Sequence, residues 1–166
     1  TIEFSFNSKL RIIDNHAFAL SSIENIIIPS HVTKIGKNAF LYCYKLRNIE
    51  FQSNSELQII ENDAFSNTCI EKISIPNSLI QICENAFYKC DNLKEIHISK
   101  KSMLKIIEKN AFSSSQIKNI TIPSTLIKLC DGWCSFAYKL TDIKVMPNNP
   151  VYSFYDDNFI IGKSSR

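Results

Sequence analysis

The stretch that decides the fold of this chain runs from Ile75 to Phe87, IPNSLIQICENAF, because close copies of it recur. Ile28 to Phe40 reads IPSHVTKIGKNAF, and Ile122 to Cys134 reads IPSTLIKLCDGWC. A second type of segment alternates with the first, at Phe4 to Phe18, Phe51 to Phe65 and Ile98 to Phe112. The apolar residues that open the segments lie at positions 4, 28, 51, 75, 98, 122 and 145, so the spacing alternates between 24 and 23 residues. Repetition at this spacing indicates a solenoid of stacked turns.

A short strand pattern ends at the first residue of every segment. Ile73 and Ile75 stand two positions apart, as residues on one face of a strand do, and Ile70 precedes them by three. This L-x-x-I-x-I pattern is typical of a leucine-rich-repeat strand, and stacked turns of this kind bury a continuous core behind a parallel sheet. We therefore predict a strand-rich solenoid of the α/β repeat class: a right-handed leucine-rich-repeat array with one parallel sheet of about seven short strands. The return segments are expected to be irregular or to form short 3₁₀ turns.

The repeated unit I-x-I-P-x-x-(V/L)-x-x-I-x-x-N-A-F-x-x-C-x-x-L resembles the BspA-like, treponemal-type leucine-rich repeat. The resemblance covers roughly residues 1–145, which we predict to be the solenoid. It departs from the pattern at Gly132, Trp133 and Cys134, which stand where Asn-Ala-Phe is expected, and at His16 and Asp63, which replace the Asn. Residues 146–166 do not continue the repeat cleanly, and we predict a divergent terminal hairpin that caps or interrupts the array.

The resemblance implies a surface-exposed, ligand-binding solenoid, such as a microbial adhesin, with an extracellular or cell-surface location. It implies no catalysis, and we expect no cofactor and no metal at the binding surface. The chain begins at Thr1 inside a repeat, so we expect it to be part of a longer protein.

Composition excludes several other classes of protein. The 166 residues are 45% hydrophobic and 21% charged, which is enough apolar material for a core and excludes a disordered chain. No run of 18 apolar residues predicts a membrane span. The net charge of +3 is too mild to indicate nucleic-acid binding. His16, His31 and His97 fall at different repeat positions, so no convergent catalytic site is expected.

The repeated phenylalanines and the cysteines are both expected to be structural. The phenylalanines of the Ala-Phe pairs recur at repeat spacing and predict a buried aromatic column: Phe18, Phe40, Phe65, Phe87 and Phe112. For the six cysteines we expect free buried thiols, while one disulfide, involving Cys69 or the pair Cys130 and Cys134, or a metal site stays open.

The exposed face of the strands is the expected binding surface of a solenoid. The residues that we assign to it are Glu50, Lys72, Ser74, Glu95, His97, Asn119, Thr121 and Lys144. Asn119 also begins an N-x-T sequon. The lysines between positions 94 and 109, interrupted by Glu95 and Glu108, are typical of a solvated face, with an anion-binding patch as the alternative. Tyr152, Phe154, Tyr155 and Phe159 are expected to cover the end of the core or to lead into the next repeat, and a ligand patch that they form with Asp156 and Asp157 is the alternative.

Three functional hypotheses follow. The first is a binding module that presents its sheet face to a protein or glycan partner on host matrix or cell surfaces. The second is a structural spacer or an array that associates end to end, and the third is an enzyme whose chemistry lies elsewhere in the parent chain.

Overall fold

The computed structural model describes the backbone of residues 2, 4–5, 7–155 and 159–162, and the side chains of these residues up to Ser153. Within this part the chain forms strands and turns and no helix, and therefore no helix that crosses a membrane. The strands fall into two stacked sets. The four-residue strands are β2 (Asn25–Ile28), β4 (Asn48–Phe51), β6 (Lys72–Ile75), β8 (Glu95–Ile98), β10 (Asn119–Ile122) and β12 (Asp142–Val145). The two-residue strands are β1 (Ile12–Ile13), β3 (Lys34–Ile35), β5 (Ile59–Ile60), β7 (Gln81–Ile82), β9 (Ile106–Ile107) and β11 (Lys128–Leu129).

The four-residue strands form one wall of the solenoid, which we call the wide wall. They pair in parallel and in register two by two, β2 with β4, β6 with β8 and β10 with β12, so that Ser74 lies opposite His97 and Thr121 lies opposite Lys144. Adjacent pairs pack side by side without a shared hydrogen-bond ladder. A parallel bridge between Ile2 and Ile26 continues the same stacking into the first turn. The predicted parallel stack of about seven short strands, one per turn, is therefore confirmed.

The return segments are more regular than predicted. The two-residue strands pair in the order β1-β3-β5-β7-β9-β11 and form a second parallel sheet, the narrow wall. Beyond it, backbone N–H groups donate to the following turn, as from Phe40 to Ala64 (2.7 Å) and from Phe87 to Ala111 (2.8 Å). The alternate N–H groups donate three residues back within the turn, as from Ala39 to Gly36 (3.2 Å). Because every second donor is used between turns, only single hydrogen-bonded turns form, and the described part contains no 3₁₀ helix.

The Asn of the Asn-Ala-Phe element has a conformational role. It lies at positive φ, between 55° and 58°, in the three turns that carry it, as do its replacements His16 and Asp63. Asn and Asp are among the residues that tolerate this left-handed backbone, and Gly132 adopts it at 72° in the sixth turn. A second positive φ follows four positions later in every turn, at Leu20, Tyr42, Asn67, Lys89, Ser114 and Phe136.

The phenylalanine column is buried as predicted, apart from the half-buried Phe18 in the first turn. Successive rings from Phe18 to Phe112 are stacked, with centroids 5.0 to 5.3 Å apart and interplanar angles of 5° to 16°. The Ala before each ring leaves room for this close approach. Together with the inward-facing Ile and Leu residues, the column fills one continuous core.

All six cysteines are free thiols, and Cys43, Cys83 and Cys90 are buried. Cys90 Sγ donates to the carbonyl of Phe65 at 3.2 Å and lies 3.3 Å from the hydroxyl of Thr68. Cys43 makes the same two contacts with Phe18 and Ser21. The residue between the two cysteines of this column is thus Thr68, not the neighbouring Cys69.

A hairpin of β13 (Tyr152–Tyr155) and β14 (Phe159–Gly162) lies against β12. The buried Asn149 amide donates to the carbonyls of Pro123 (2.8 Å) and Leu126 (3.0 Å) and so joins this segment to the preceding turn. The hydroxyl of Tyr152 accepts a hydrogen bond from the backbone N–H of Leu129 in the last narrow strand. Asp156, Asp157 and the side chains of Phe154, Tyr155 and Phe159 lie outside the described residues. The division of the chain at residue 145 stays a prediction.

Candidate functional site

The outer face of the wide wall is polar because its strands alternate. In β6, Ile73 and Ile75 are buried while Lys72 and Ser74 are exposed. Since the strands of each pair are in register, equivalent residues lie opposite each other, and the repeat arranges them in columns along the wall. The eight residues assigned to the binding face all lie in two of these columns; seven are exposed and Thr121 is half-buried.

The alternation of 24 and 23 residues shapes this face into three grooves. The loop at the carboxyl end of every second wide strand is two residues longer, with seven residues between β4 and β5 against five between β2 and β3, so that two longer loops flank each shorter one. The return to the next wide strand is one residue shorter, which leaves the net difference of one residue. Groove 1 has a volume of about 800 Å³ and lies over the short loop at Ser30 and His31. Groove 2, of about 770 Å³, lies over Pro76 and Asn77. Groove 3, of about 700 Å³, lies between the loops that contain Lys100 and Met146.

Groove 2 brings together five of the eight sequence-predicted residues: Glu50, Lys72, Ser74, Glu95 and His97. The register places Lys72 beside Glu95 and Ser74 beside His97 on adjacent strands. Opposite charges and hydrogen-bonding groups thus alternate over a short distance, as on many protein-binding surfaces.

Groove 3 contains two of the other three predicted residues, Thr121 and Lys144, and shares His97 with groove 2. Asn119 lines none of the three grooves. Lys144 forms an exposed ion pair with Asp142 at 3.3 Å. A pair of this kind contributes little to stability, so both groups remain available to a partner.

Sequence reasoning left the loop residues of groove 3 out of the residues assigned to the binding face; they are Lys100, Lys101, Met146 and Pro147. The lysine-rich stretch does not form one surface in the structure. Lys100 and Lys101 line groove 3, whereas Lys109 lies beside a cavity on the narrow-wall side. The alternating spacing was the signal that could have found these residues, because it marks every second loop as the longer one.

A small charge cluster lies beside groove 1. Glu56 accepts hydrogen bonds from Arg11 at 2.7 Å and from His31 Nδ1 at 2.9 Å. The hydrogen bond with His31 is the largest cause of a lowered pKa for the Glu56 carboxyl, ahead of the opposing desolvation and the Coulomb attraction of His31 and Arg11. Because these side chains are largely exposed, the cluster orients the loops more than it stabilises the fold.

The arrangement offers binding surfaces and no assembled reaction centre in the part of the chain that the structure describes. His16 contacts Asn38, His31 contacts Glu56, and His97 lies on the wide wall, so the three imidazoles are in three separate places. No group of three potential metal ligands converges among the described residues.

Comparison with known structures places this geometry among bacterial leucine-rich-repeat proteins. The pneumococcal vaccine antigen PcpA matches 93% of this chain and 40% of its own, with a TM-score of 0.85 and 26% identity. A leucine-rich cell surface protein from Faecalibacterium prausnitzii matches 94% of this chain and 47% of its own, with a TM-score of 0.67 and 21% identity. The Treponema pallidum leucine-rich-repeat protein matches 81% of this chain and 51% of its own, with a TM-score of 0.56 and 22% identity.

This chain therefore spans between two fifths and one half of the length of these structures. No curated protein sequence matches it significantly. The family model for the BspA-type leucine-rich repeat region matches residues 1–57 and 58–160, with six copies of the repeat. With nearly its whole length matched, the chain belongs to the BspA-type leucine-rich-repeat family.

Proposed function

We propose that this solenoid is a non-enzymatic protein-binding module of an extracellular bacterial surface protein, and that its wide wall recognises matrix or cell-surface partners. The observation that carries this proposal is the set of three grooves on a face of exposed, mixed charges. Membership of the BspA-type family and the cell-surface protein among the similar structures support the location.

The fold suits this role because it holds the face rigid. Backbone hydrogen bonds join each turn to the next along the narrow wall and the phenylalanine column, while on the wide wall they join the strands two by two. A partner therefore meets side chains that are already positioned, and little conformational entropy is lost on binding.

The experiment is a binding screen of the purified protein against matrix proteins, glycans and epithelial cells at physiological salt. We expect saturable binding that is lost in the double variant Glu50→Lys and Lys72→Glu, which keeps the net charge. A matched double variant on the narrow-wall side, Lys128→Glu and Asp131→Lys, is expected to bind normally.

The second candidate function is a structural spacer or a self-associating array, and the continuous hydrogen bonding between turns favours it. A folded protein that binds no member of the screen, or that binds equally well in both double variants, would contradict recognition by the wide wall. Concentration-dependent assembly in sedimentation would then identify the array.

A further inference from the structure

We infer that groove 3 binds an extended acidic segment of a partner protein through one apolar side chain flanked by carboxylates. This inference rests on the proposed function and names the partner's chemistry at one part of the wide wall. Groove 3 differs from grooves 1 and 2 because no carboxylate is among its described lining residues and because its floor is apolar.

The rim of groove 3 is cationic. Lys100, Lys101 and Lys144 line it, and its described lining includes no carboxylate. Groove 2, by contrast, is lined by Glu50 and Glu95 as well as by a lysine. Lys144 has an acidic neighbour in Asp142, but that pair is exposed, and Lys100 and Lys101 are also exposed. The rim therefore attracts carboxylates over about 8 Å in physiological salt.

The floor of groove 3 is apolar. It contains Ile98, Val145, Met146 and Pro147, of which Ile98 is buried, Val145 and Met146 are half-buried and Pro147 is exposed. Met146 occupies the repeat position that Pro123 and Ser99 fill in neighbouring turns, and its flexible thioether adapts to different apolar side chains. A simple polyanion such as a sulfated glycan would leave this floor without a partner.

The size of the groove limits the segment. Groove 3 crosses β8, β10 and β12, which at about 4.8 Å between strands gives a width of about 10 Å. An extended peptide advances about 3.3 Å per residue, so about three residues cross the groove. One central apolar side chain can then reach the floor while its acidic neighbours meet the lysines on the rim.

The test uses fluorescent pentapeptides and the whole chain. The probe has leucine between two pairs of glutamates, and two matched peptides replace the leucine by serine or the glutamates by lysines. We expect saturable binding of the probe in fluorescence anisotropy, binding about tenfold weaker for the serine peptide, and none for the lysine peptide. Raising the salt concentration should weaken binding of the probe.

Two pairs of variants locate the site. Lys100→Glu with Lys101→Glu should weaken binding of the probe at least about tenfold, and Met146→Ser should weaken it with little change in salt dependence. Lys105→Glu with Lys109→Glu makes the same change in net charge outside the groove, and should leave binding unchanged.

Three results would overturn the inference: equal binding of the leucine and serine peptides, equal loss in both lysine double variants, or binding of a heparin fragment or anionic vesicles with no binding of the probe. Each of these leaves the proposed function standing if the screen still depends on Glu50 and Lys72. Conversely, binding of the probe at groove 3 with no hit in the screen would support this inference and recognition by the wide wall, and would contradict only the matrix and cell-surface partners of the proposed function.

Discussion

The indole of Trp133 stands edge-on against the ring of Phe112, with centroids 6.4 Å apart and planes at 89°, whereas the rings before it are stacked. The residues of this turn explain the change from stacked to perpendicular rings. Trp133 occupies the place of the small Ala in its turn, and Cys134 occupies the place of Phe. The smaller Cys134 leaves space at the end of the column, and the indole fills it.

The first prediction concerns this indole. Trp133→Ala should lower the free energy of unfolding by about 3 kcal/mol, because it removes a large side chain that is only 8% exposed. Tyr138→Ala, five residues later and 86% exposed, should change it by less than about 0.5 kcal/mol. Urea unfolding compares the two, and equal effects would show that the indole does not close the column.

The second prediction concerns Ser115, whose hydroxyl is buried and has no hydrogen-bond partner among the described residues. Ser115 corresponds to Ser21 and Thr68, whose hydroxyls contact Cys43 and Cys90 in the following turn. Ala137 occupies the position of these cysteines in the turn that follows Ser115. Ala137→Cys should therefore satisfy the hydroxyl and stabilise the fold by about 1 kcal/mol.

Ala137→Val is the matched control, since it adds similar volume without a hydrogen-bonding group. Thermal unfolding under reducing conditions distinguishes the two variants. If valine stabilises the protein as much as cysteine does, packing and not the missing hydrogen bond explains the effect.

The third prediction concerns backbone strain at Phe136, which has φ of 60° and is 63% exposed. Asn67 fills the equivalent position in another turn, and a bulky residue in this left-handed region costs about 1 kcal/mol. Phe136→Asn should therefore raise the free energy of unfolding by about 1 kcal/mol. Tyr138→Asn removes another exposed ring where no positive φ is required, and should be neutral; a gain of the same size there would rule out strain as the cause.

The fourth prediction concerns alkaline pH. Burial raises the pKa of the Cys90 and Cys83 thiols from 9.0 to about 12, with nearby carboxylates adding to the effect at Cys83. Below pH 9 the thiols stay protonated in both the folded and the unfolded protein, so their titration does not lower the free energy of unfolding. Above pH 9 the unfolded chain loses the protons first, so stability falls progressively as the pH rises towards 12.

Urea midpoints at pH 7 and pH 10 measure this fall. We expect a smaller fall in the double variant Cys83→Ala and Cys90→Ala than in the wild type, although the variant is less stable at pH 7. An equal fall in both proteins would assign the alkaline loss to other groups.

The stacking of turns was predictable because it depends on apolar residues such as Ile73 and Ile75, whose spacing is explicit in the sequence. The narrow wall was not, since a two-residue strand such as Gln81–Ile82 has too few positions to show a period. The sequence repeat placed Cys69 near the column of Cys43 and Cys90, but the structure has Thr68 there. The two residues are adjacent in the chain, and the repeat pattern does not fix the alignment of this segment to a single residue. The eight residues assigned to the binding face lie on the outer face of the wide wall, and their role in binding stays a prediction. The grooves arise from loop lengths, which a strand pattern does not report.

The most direct test of the central claim is hydrogen exchange of the protein with and without a partner identified in the binding screen. We predict slowed exchange in the loops that follow the wide strands, around Asn54, Lys100 and Asn148, and unchanged exchange along the narrow wall at residues 106–107 and 128–129. Protection confined to the narrow wall, or to the ends of the solenoid, would contradict recognition by the wide wall.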